Sequence, residues 1–152
     1  YEVSPWSLSW DDENYYLIAY DSSEKIIKHF RVDKMLHIQS NGRRREGEQE
    51  FKSFDMAAYA RKVFGMYAGK EETVRIECDN SFAGVVIDRF GKDVNMIPID
   101  DKHFSVSVDV AVSRQFLAWI IGLGEGVKLV SPDNVVVLMN EEIDRVIRQY
   151  RK

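Results

Sequence analysis

The sequence predicts an α+β protein in which a small β-barrel is followed by a linking helix and a ferredoxin-like domain. Residues 1 to about 53 have the pattern of short strands with polar turns, and a helical period of apolar residues comes next. The remainder alternates between strand and helix patterns. The chain has 152 residues, 45% of them hydrophobic, which is enough for two small domains with cores of their own.

Residues 1–54 are predicted to form the barrel. Four or five strands are expected, among them "WSLSW", "YYLIAY", "KIIKHFRV" and "MLHIQ", and the polar turns "DDEN" and "DSSE" separate the first three of these. Short segments rich in aromatic and branched residues are typical of an antiparallel meander. A flat sheet of this size would leave exposed edges, so the pattern favours closure into a barrel. The stretch "SNGRRREGEQ" is expected to be a polar loop or an irregular hairpin.

Residues 55–70 are predicted to form the linking helix. Asp55 is a plausible N-cap, and glycines at 65 and 69 mark the end of the helix. The apolar residues that recur at helical spacing are Met56, Tyr59, Val63 and Met66.

Residues 71–152 are predicted to form the ferredoxin-like domain. The order of patterns is strand, helix, strand, strand, helix, strand and one extra C-terminal helix, which is the split βαβ order. Ser113 is expected to cap the second helix, and Ser131 the last, with Pro132 at its first position. Cys78 alternates with apolar residues in "VRIECD", so we expect a buried thiol in a cytosolic protein.

Charge is unevenly distributed in this chain of net charge −4. Residues 1–24 contain six acids and no base, whereas residues 25–45, here called the basic segment, contain seven bases and one acid. No apolar run approaches the roughly 20 residues that cross a bilayer, and no signal peptide is expected. Because the chain starts at Tyr1 and not at a methionine, we expect it to be a fragment of a longer protein.

The motifs "SPWSLSWDDENYYLIAYD" and "FRVDKM" resemble the WYL domain of bacterial transcription regulators. The later motifs "FAGVVIDRFG" and "LAWIIGLGEGVKLVSP" are similar to the C-terminal extension that accompanies it. In two places the chain departs from the family. Tyr15 stands where the family has the tryptophan of its name, and Lys34 replaces the second arginine of its FRxxR element. Lysine lacks the planar fork with which arginine grips phosphate.

The resemblance implies an SH3- or Sm-like barrel, a ferredoxin-like extension and a non-enzymatic role in sensing. It also implies a winged helix-turn-helix that binds promoter DNA and precedes the WYL domain; this element is not among the present residues. The expected effector is a nucleotide or a single-stranded nucleic acid. We therefore expect a cytoplasmic, homodimeric sensory half of a regulator that binds no cofactor and no membrane.

The basic segment carries the candidate ligand site. On a strand, His29 and Arg31 share one face, opposite Phe30, so they are expected to project outward if the core takes Phe30; Lys34 lies just beyond them. Cations would bind phosphates and an aromatic ring would stack on a base. The sequence leaves open which neighbouring tyrosine contributes; the candidates are Tyr15, Tyr16 and Tyr20. A possible secondary basic patch is Arg43, Arg44 and Arg45.

Other kinds of site are not predicted. The glycines of "GLGEG" end a helix and precede a strand, whereas phosphate loops need the reverse order. His29, His37 and His103 lack the spacing of metal ligands, and no nucleophile, base and orienting group occur as a set.

Two functions follow from these observations. The first is the effector-sensing module described above. The second is a pure assembly module without a ligand, in which the basic strand docks on an acidic surface of a neighbouring copy, such as residues 11–13.

Overall fold

The computed structural model describes residues 1–11, 13–64 and 69–151, which form two compact units, residues 1–59 and 60–152. Each unit contains one antiparallel sheet together with helices, so the α+β class predicted from the sequence is confirmed. The domain boundaries at residues 54 and 70 stay predictions. The expected end of the linking helix at Gly65 and Met66 lies outside the described residues.

The first unit is built on a three-stranded meander. Its strands are β1 (Val3–Asp11), β2 (Asn14–Asp21) and β3 (Ile26–Arg31), with β2 in the centre. Asp21 organises the turn between β2 and β3, because its carboxylate accepts hydrogen bonds from the backbone N–H groups of Ser23 (2.9 Å) and Glu24 (3.3 Å). Because the turn is tight, β2 and β3 are already paired at the residues that flank it, Asp21 and Ile26.

The predicted fourth strand, Met35–Gln39, is wrong. The chain leaves the sheet in a 3₁₀ turn at Val32–Lys34, and His37 has a φ of 53°, a left-handed conformation that a strand does not tolerate. Leu36 and Ile38 are exposed. The described residues form no closed barrel, since β1 and β3 remain the edges of the sheet.

Two helices complete the first unit and lead into the second. Helix α1 (Glu48–Lys52) begins within residues 40–49, the stretch that the sequence predicted as a loop or hairpin, and extends beyond it. Helix α2 (Met56–Lys62) is shorter than the predicted helix over residues 55–70 within the described part of the chain. Asp55 caps it as predicted, since its carboxylate accepts a hydrogen bond from the Ala58 N–H at 2.9 Å.

The second unit follows the predicted order of strands and helices. Its sheet has the order β5-β6-β4-β7, and every neighbouring pair is antiparallel. The elements are β4 (Lys70–Asp79), α3 (Ala83–Phe90), β5 (Met96–Pro98), β6 (His103–Val112), α4 (Arg114–Gly122), β7 (Val127–Ser131) and α5 (Asp133–Tyr150).

One face of the second sheet forms the core. Alternation on β4 buries Val74, Ile76 and Cys78, each at most 1% exposed, against apolar residues of β6, α3, α4 and α5. Cys78 is therefore a buried core residue, as expected, and burial raises the pKa of its thiol to about 11. A thiol in this environment is chemically inert.

The helix caps of the second unit agree with the sequence in one case of two. Ser113 caps α4, because its hydroxyl accepts a hydrogen bond from the Phe116 N–H at 3.3 Å. Ser131 was expected to cap α5, but it belongs to β7 and Pro132 takes the N-cap position. Cross-strand pairing with Arg75 keeps Ser131 in the sheet.

Candidate functional site

The basic segment begins at the edge strand of the first sheet. Arg31 lies opposite Tyr16 and His29 lies opposite Ile18, so these four side chains share one face. Tyr16 and Ile18 are buried, at 5% and 0% exposure. The expectation that Arg31 and His29 point away from the core is therefore wrong. The reason is that the core of this unit takes the tyrosine face of β2 instead of the Phe30 face of β3.

His29 lies between two tyrosine rings. Its ring centroid is 6.0 Å from that of Tyr16 and 5.8 Å from that of Tyr59, and its Nδ1 is hydrogen-bonded to the Tyr59 hydroxyl. Helix α2 supplies Tyr59, so residues 30 positions apart in the chain form one polar aromatic cluster. These contacts fix the orientation of the His29 ring and link β3 to α2.

A continuous row of rings extends from this cluster across the first unit. Successive centroids along it are between 4.9 and 6.3 Å apart, within the range of favourable aromatic contacts. This aromatic row consists of Tyr16, His29, Tyr59, Phe54, Phe51 and Trp6. At its Trp6 end, the guanidinium of Arg45 lies over the indole ring, 4.3 Å from the centroid. Arg31 is the cross-strand neighbour of Tyr16 at the other end.

Arg31 forms a bidentate salt bridge with a carboxylate of the same chain. Its Nε and Nη2 donate to the two oxygens of Asp33 at 2.8 and 3.0 Å, and this bond lowers the pKa of Asp33. The pair is open to water, with 37% and 49% of the two side chains exposed. Exposed pairs of this kind contribute ~0–1 kcal/mol to stability.

Lys34 contributes little to this pair. Its ammonium lies 3.8 Å from Asp33 and 71% of its side chain is exposed, so it reaches the same carboxylate only loosely. Arg31, His29 and Lys34 thus occur in one region, as expected, but with Asp33 among them. Their role in ligand binding stays a prediction.

The three candidate tyrosines have different positions. Tyr16 is the one opposite Arg31, whereas Tyr20 is opposite Ile27 and packs against Gly47, where an added Cβ would meet its ring. Tyr15 is on the other face of β2, 55% exposed. Its ring contacts Trp10 edge-to-face at 4.7 Å. The register therefore brings Tyr16 to Arg31 and leaves Tyr15 away from it.

The secondary basic patch is divided. Arg43 pairs with Glu2 at 2.8 Å, and Arg45 donates to the Pro5 carbonyl oxygen at 3.1 Å while covering Trp6. Arg44 is exposed, and among the described residues it takes part in no salt bridge. The loop is therefore connected to Glu2 and to β1 by two of its arginines, and all three arginines remain exposed.

A second charged cluster occupies the opposite face of the sheet. Lys28 donates to Asp21 at 2.8 Å and to Glu24 at 2.5 Å, and Asp21 is only 3% exposed. Hydrogen bonds from Lys28 and Ser23 hold the pKa of Asp21 well below its usual range, and the same contact with Asp21 raises the pKa of Lys28. The Lys28 ammonium therefore binds two carboxylates of the same unit and has a structural role.

Sequence reasoning missed three members of the aromatic row. Trp6, Phe51 and Phe54 were not considered as site residues. Tyr59 was expected only as one of the apolar residues of a helix. The available signal was the density of aromatic residues at positions 51, 54 and 59, directly after a run of arginines. Stacking rings interleaved with arginines are typical of single-strand interfaces.

Two cavities are described in the second unit. They have volumes of about 270 and 350 Å³ and are lined entirely by residues of that unit. Within residues 1–11, 13–64 and 69–151, no three histidine, cysteine or acidic side chains are arranged to hold a metal ion. Among the helices described, none combines the length and the hydropathy that a membrane crossing requires.

Comparisons with known proteins give a family for this chain. The profile of the WCX domain matches residues 70–147 and that of the WYL domain matches residues 1–40. Because the first match covers half of the chain, the chain belongs to the WCX domain family, and it carries a WYL domain on the N-terminal side. The resemblance to WYL-domain regulators drawn from the sequence is thereby confirmed.

One solved structure can be compared over almost the whole chain. Proteasome accessory factor B/C (PafBC) of Arthrobacter aurescens aligns with 99% of this chain at 20% sequence identity and a TM-score of 0.47. The chain spans 22% of the length of that protein. No curated protein sequence matches the chain.

Proposed function

We propose that this chain is the effector-sensing and dimerisation half of a bacterial transcriptional regulator. It acts without catalysing a reaction, in the cytoplasm, and controls a helix-turn-helix domain that binds promoter DNA and lies outside these residues. The effector is a nucleotide or a single-stranded nucleic acid. The pairing of a WYL domain with a WCX domain supports the regulatory role.

The proposal includes the finer fold of the two units. The WYL part is related to the SH3- and Sm-like barrels through its three-stranded meander, which does not close into a barrel within the described residues. The order β5-β6-β4-β7 supports a ferredoxin-like second unit, because the first strand of the βαββαβ series lies between the third and the fourth.

The observation that carries the ligand assignment is the position of the Arg31 fork beside the aromatic row. The guanidinium stands opposite Tyr16, next to the His29–Tyr59 pair, and pairs with an exposed carboxylate. Phosphate would take the fork from Asp33, and a base would lie against the rings that follow. Asp33 then competes with the ligand for the Arg31 guanidinium, so that anions that bind it more weakly than phosphate are excluded.

Single-residue changes test this site with opposite expected signs. Arg31→Ala should weaken binding of a short fluorescent deoxythymidine oligonucleotide by about tenfold or more. Asp33→Asn should strengthen it, because the competing charge is removed while the shape is kept. Fluorescence anisotropy at several salt concentrations measures both, and the slope of affinity against salt should fall by about one phosphate contact in Arg31→Ala. A parallel titration with a nucleoside monophosphate separates the two effector classes.

The second unit offers a matched control for this experiment. Arg75 and Glu77 form a salt bridge at 2.7 Å with the same spacing in sequence as Arg31 and Asp33. Arg75→Ala therefore removes the same charge from a strand surface. Equal losses in Arg31→Ala and Arg75→Ala would mean that the oligonucleotide responds only to net charge, and the site assignment would fail.

The assembly module without a ligand remains the second candidate. Its support is that the basic segment already has partners, with Arg31 on Asp33 and Arg43 on Glu2. This function predicts a salt-sensitive dimer whose thermal stability is unchanged by nucleotides and oligonucleotides. A true ligand at a hundred times its dissociation constant would add about 2.7 kcal/mol of stability.

A further inference from the structure

Helix α5 has an apolar stripe that the second unit buries only in part. Val135 and Met139, in its first half, are 0% and 8% exposed in the core. The stripe then continues at helical spacing with residues that are 36% to 78% exposed. These are Ile143, Val146, Ile147 and Tyr150. Two turns of helix therefore present a face that nothing in the described residues covers.

The exposed stripe is confined to one side of the helix. At about 100° per residue, Ile143, Val146 and Tyr150 fall within a sector of roughly 60°. Charged residues take other positions around the axis, including Asp144 and Arg151, which lie together along one flank of the stripe. An apolar strip with charged edges is the pattern of a helix that packs on another helix.

We propose that a second copy of this chain covers the stripe, with the two α5 helices antiparallel. The inference rests on the homodimer of the proposed function and names its surface. The charges favour this occupant, since α5 carries acids at positions 141, 142 and 144 and arginines at 145 and 148, and Arg151 follows at its C-cap. Antiparallel pairing places the acidic part of each helix against the basic part of the other, as a two-fold interface requires.

The spacing of the stripe defines the register. When Val146 of one copy meets Ile147 of the other, Ile143 meets Tyr150, and the two-fold axis passes between residues 146 and 147. Asp144 of each copy then comes to the side of Arg151 of the other. Among the described residues, neither Asp144 nor Arg151 takes part in a salt bridge, so both are available for this contact.

The small size of the surface determines the expected strength. Residues 143–150 span only about 11 Å of helix. The area that two such short stripes bury should therefore be well below the ~1,600 Å² of a standard interface. The contact should therefore give a weak dimer whose population rises with protein concentration. Sedimentation velocity over a wide concentration range is the appropriate measurement.

Substitutions on two sides of the same helix test the surface. Ile143→Asp should raise the dimer dissociation constant by at least about tenfold. Val137→Asp is the matched control: Val137 is 54% exposed and lies about 120° around the helix from Ile143, so the dimer should be unchanged. Circular dichroism should show that both variants keep the helical content of the parent protein.

A charge exchange tests the pairing of Asp144 with Arg151. Asp144→Arg and Arg151→Asp should each weaken the dimer, and the double variant should restore it, because the charges are then complementary again. Restoration cannot arise from a simple loss of folding. If the double variant loses as much free energy of dimerisation as the two single variants lose together, the pairing is overturned.

Cysteine cross-linking tests the antiparallel direction. Under mild oxidation, Ile147→Cys should form a disulfide-linked dimer across the two-fold axis. Tyr150→Cys alone should not, because its two copies would be separated by about 10 Å, beyond the reach of a disulfide. A mixture of Ile143→Cys and Tyr150→Cys proteins should cross-link. The native Cys78 is buried and does not compete.

The outcomes separate this inference from the proposed function. A dimer that Ile143→Asp leaves intact overturns the α5 surface and leaves the homodimer standing. A chain that is monomeric at every concentration overturns both. Cross-linking of Tyr150→Cys alone, as efficient as that of Ile147→Cys, would show parallel helices and overturn the register.

Discussion

The sheets of the two units bury different kinds of side chain. In the second unit, β4 and β6 bury valine, isoleucine and phenylalanine against three helices. In the first unit, the buried face carries two tyrosines beside His29, and the opposite face buries the carboxylate of Asp21. Aliphatic packing is non-directional, whereas buried polar groups need particular partners at particular distances.

This difference separates the unit with the larger apolar core from the unit that carries the candidate ligand site. The core of the second unit tolerates any side chain of suitable volume and shape, so it provides a scaffold. In the first unit, rings, guanidinium groups and carboxylates are held in fixed positions at the surface, which is what recognition of a phosphate-bearing ligand requires. The candidate ligand site and the scaffold thus occupy different units.

The largest expected effect is in the core of the second unit. Ile76 is 1% exposed on β4, which has neighbours on both sides in the sheet. Ile76→Ala should lower the free energy of unfolding by about 2–5 kcal/mol, because it removes buried methyl groups and leaves a cavity. Urea unfolding followed by circular dichroism measures this loss. Arg75→Ala, on the outer face of the same strand, is the control, and an equal effect would contradict a core of this kind.

A smaller effect is expected from the polar interior of the first unit. Asp21→Asn should destabilise the protein less than Ile76→Ala, because it weakens the bonds to Lys28 and Ser23 but leaves no cavity. The lowered pKa of Asp21 means that its contribution is present above the ordinary carboxyl value near 3.9 and is lost as the pH falls toward the lowered pKa.

Thermal unfolding across the acid range measures this contribution. The parent protein should lose stability on acidification more steeply than Asp21→Asn. Glu13→Gln, an exposed acid in the other turn of the meander, is the control and should follow the parent protein. Parallel curves for the parent protein and Asp21→Asn would show that this carboxylate does not stabilise the first unit.

The smallest expected effect is at His103 in the second unit. Its Nδ1 is 2.8 Å from Asp100 and its Nε2 is 3.3 Å from Asp79, and the bond to Asp100 raises the pKa of His103. A raised pKa stabilises the fold below the ordinary histidine value near 6.5, and this contribution is lost as the pH rises through the raised value. The effect is small because the side chain is 45% exposed.

Melting temperatures between mildly acidic and mildly basic pH measure this effect. The difference between the parent protein and His103→Gln should shrink as the pH rises. The subtraction removes the contributions of all other residues, because both proteins retain them. A difference that does not change with pH would show that the two carboxylates hold the neutral ring as well as the charged one.

The sequence predicted the second unit more completely than the first. Strict alternation in "FSVSVDVAV" and "TVRIECD" matches the burial of β6 and β4, since a period of two puts one set of residues on a single face. Ser113 was recognised as a cap, as was Asp55 in the first unit, because capping is a local interaction. The inward position of Cys78 follows from the same alternation.

In the first unit, local pattern was not enough. "MLHIQ" has the composition of a strand, but the 3₁₀ turn at Val32–Lys34 leads the chain away from the sheet, so a fourth strand does not form. The face of Arg31 was assigned on the assumption that Phe30 belongs to the core. The core instead lies on the side of Tyr16 and Ile18, where rings from α1 and α2 cover the sheet.

By itself, the sequence determined the α+β class, the order of elements in the second unit, the resemblance to WYL-domain regulators and the location of the basic segment. Each of these depends on periodicity, composition or motif order along the chain. Only the tertiary structure decided which side of β3 is covered, that Asp33 occupies the Arg31 fork, and that six rings form a row between Arg31 and Arg45. Those contacts join residues up to 45 positions apart, such as Trp6 and Phe51, whose meeting depends on packing and register.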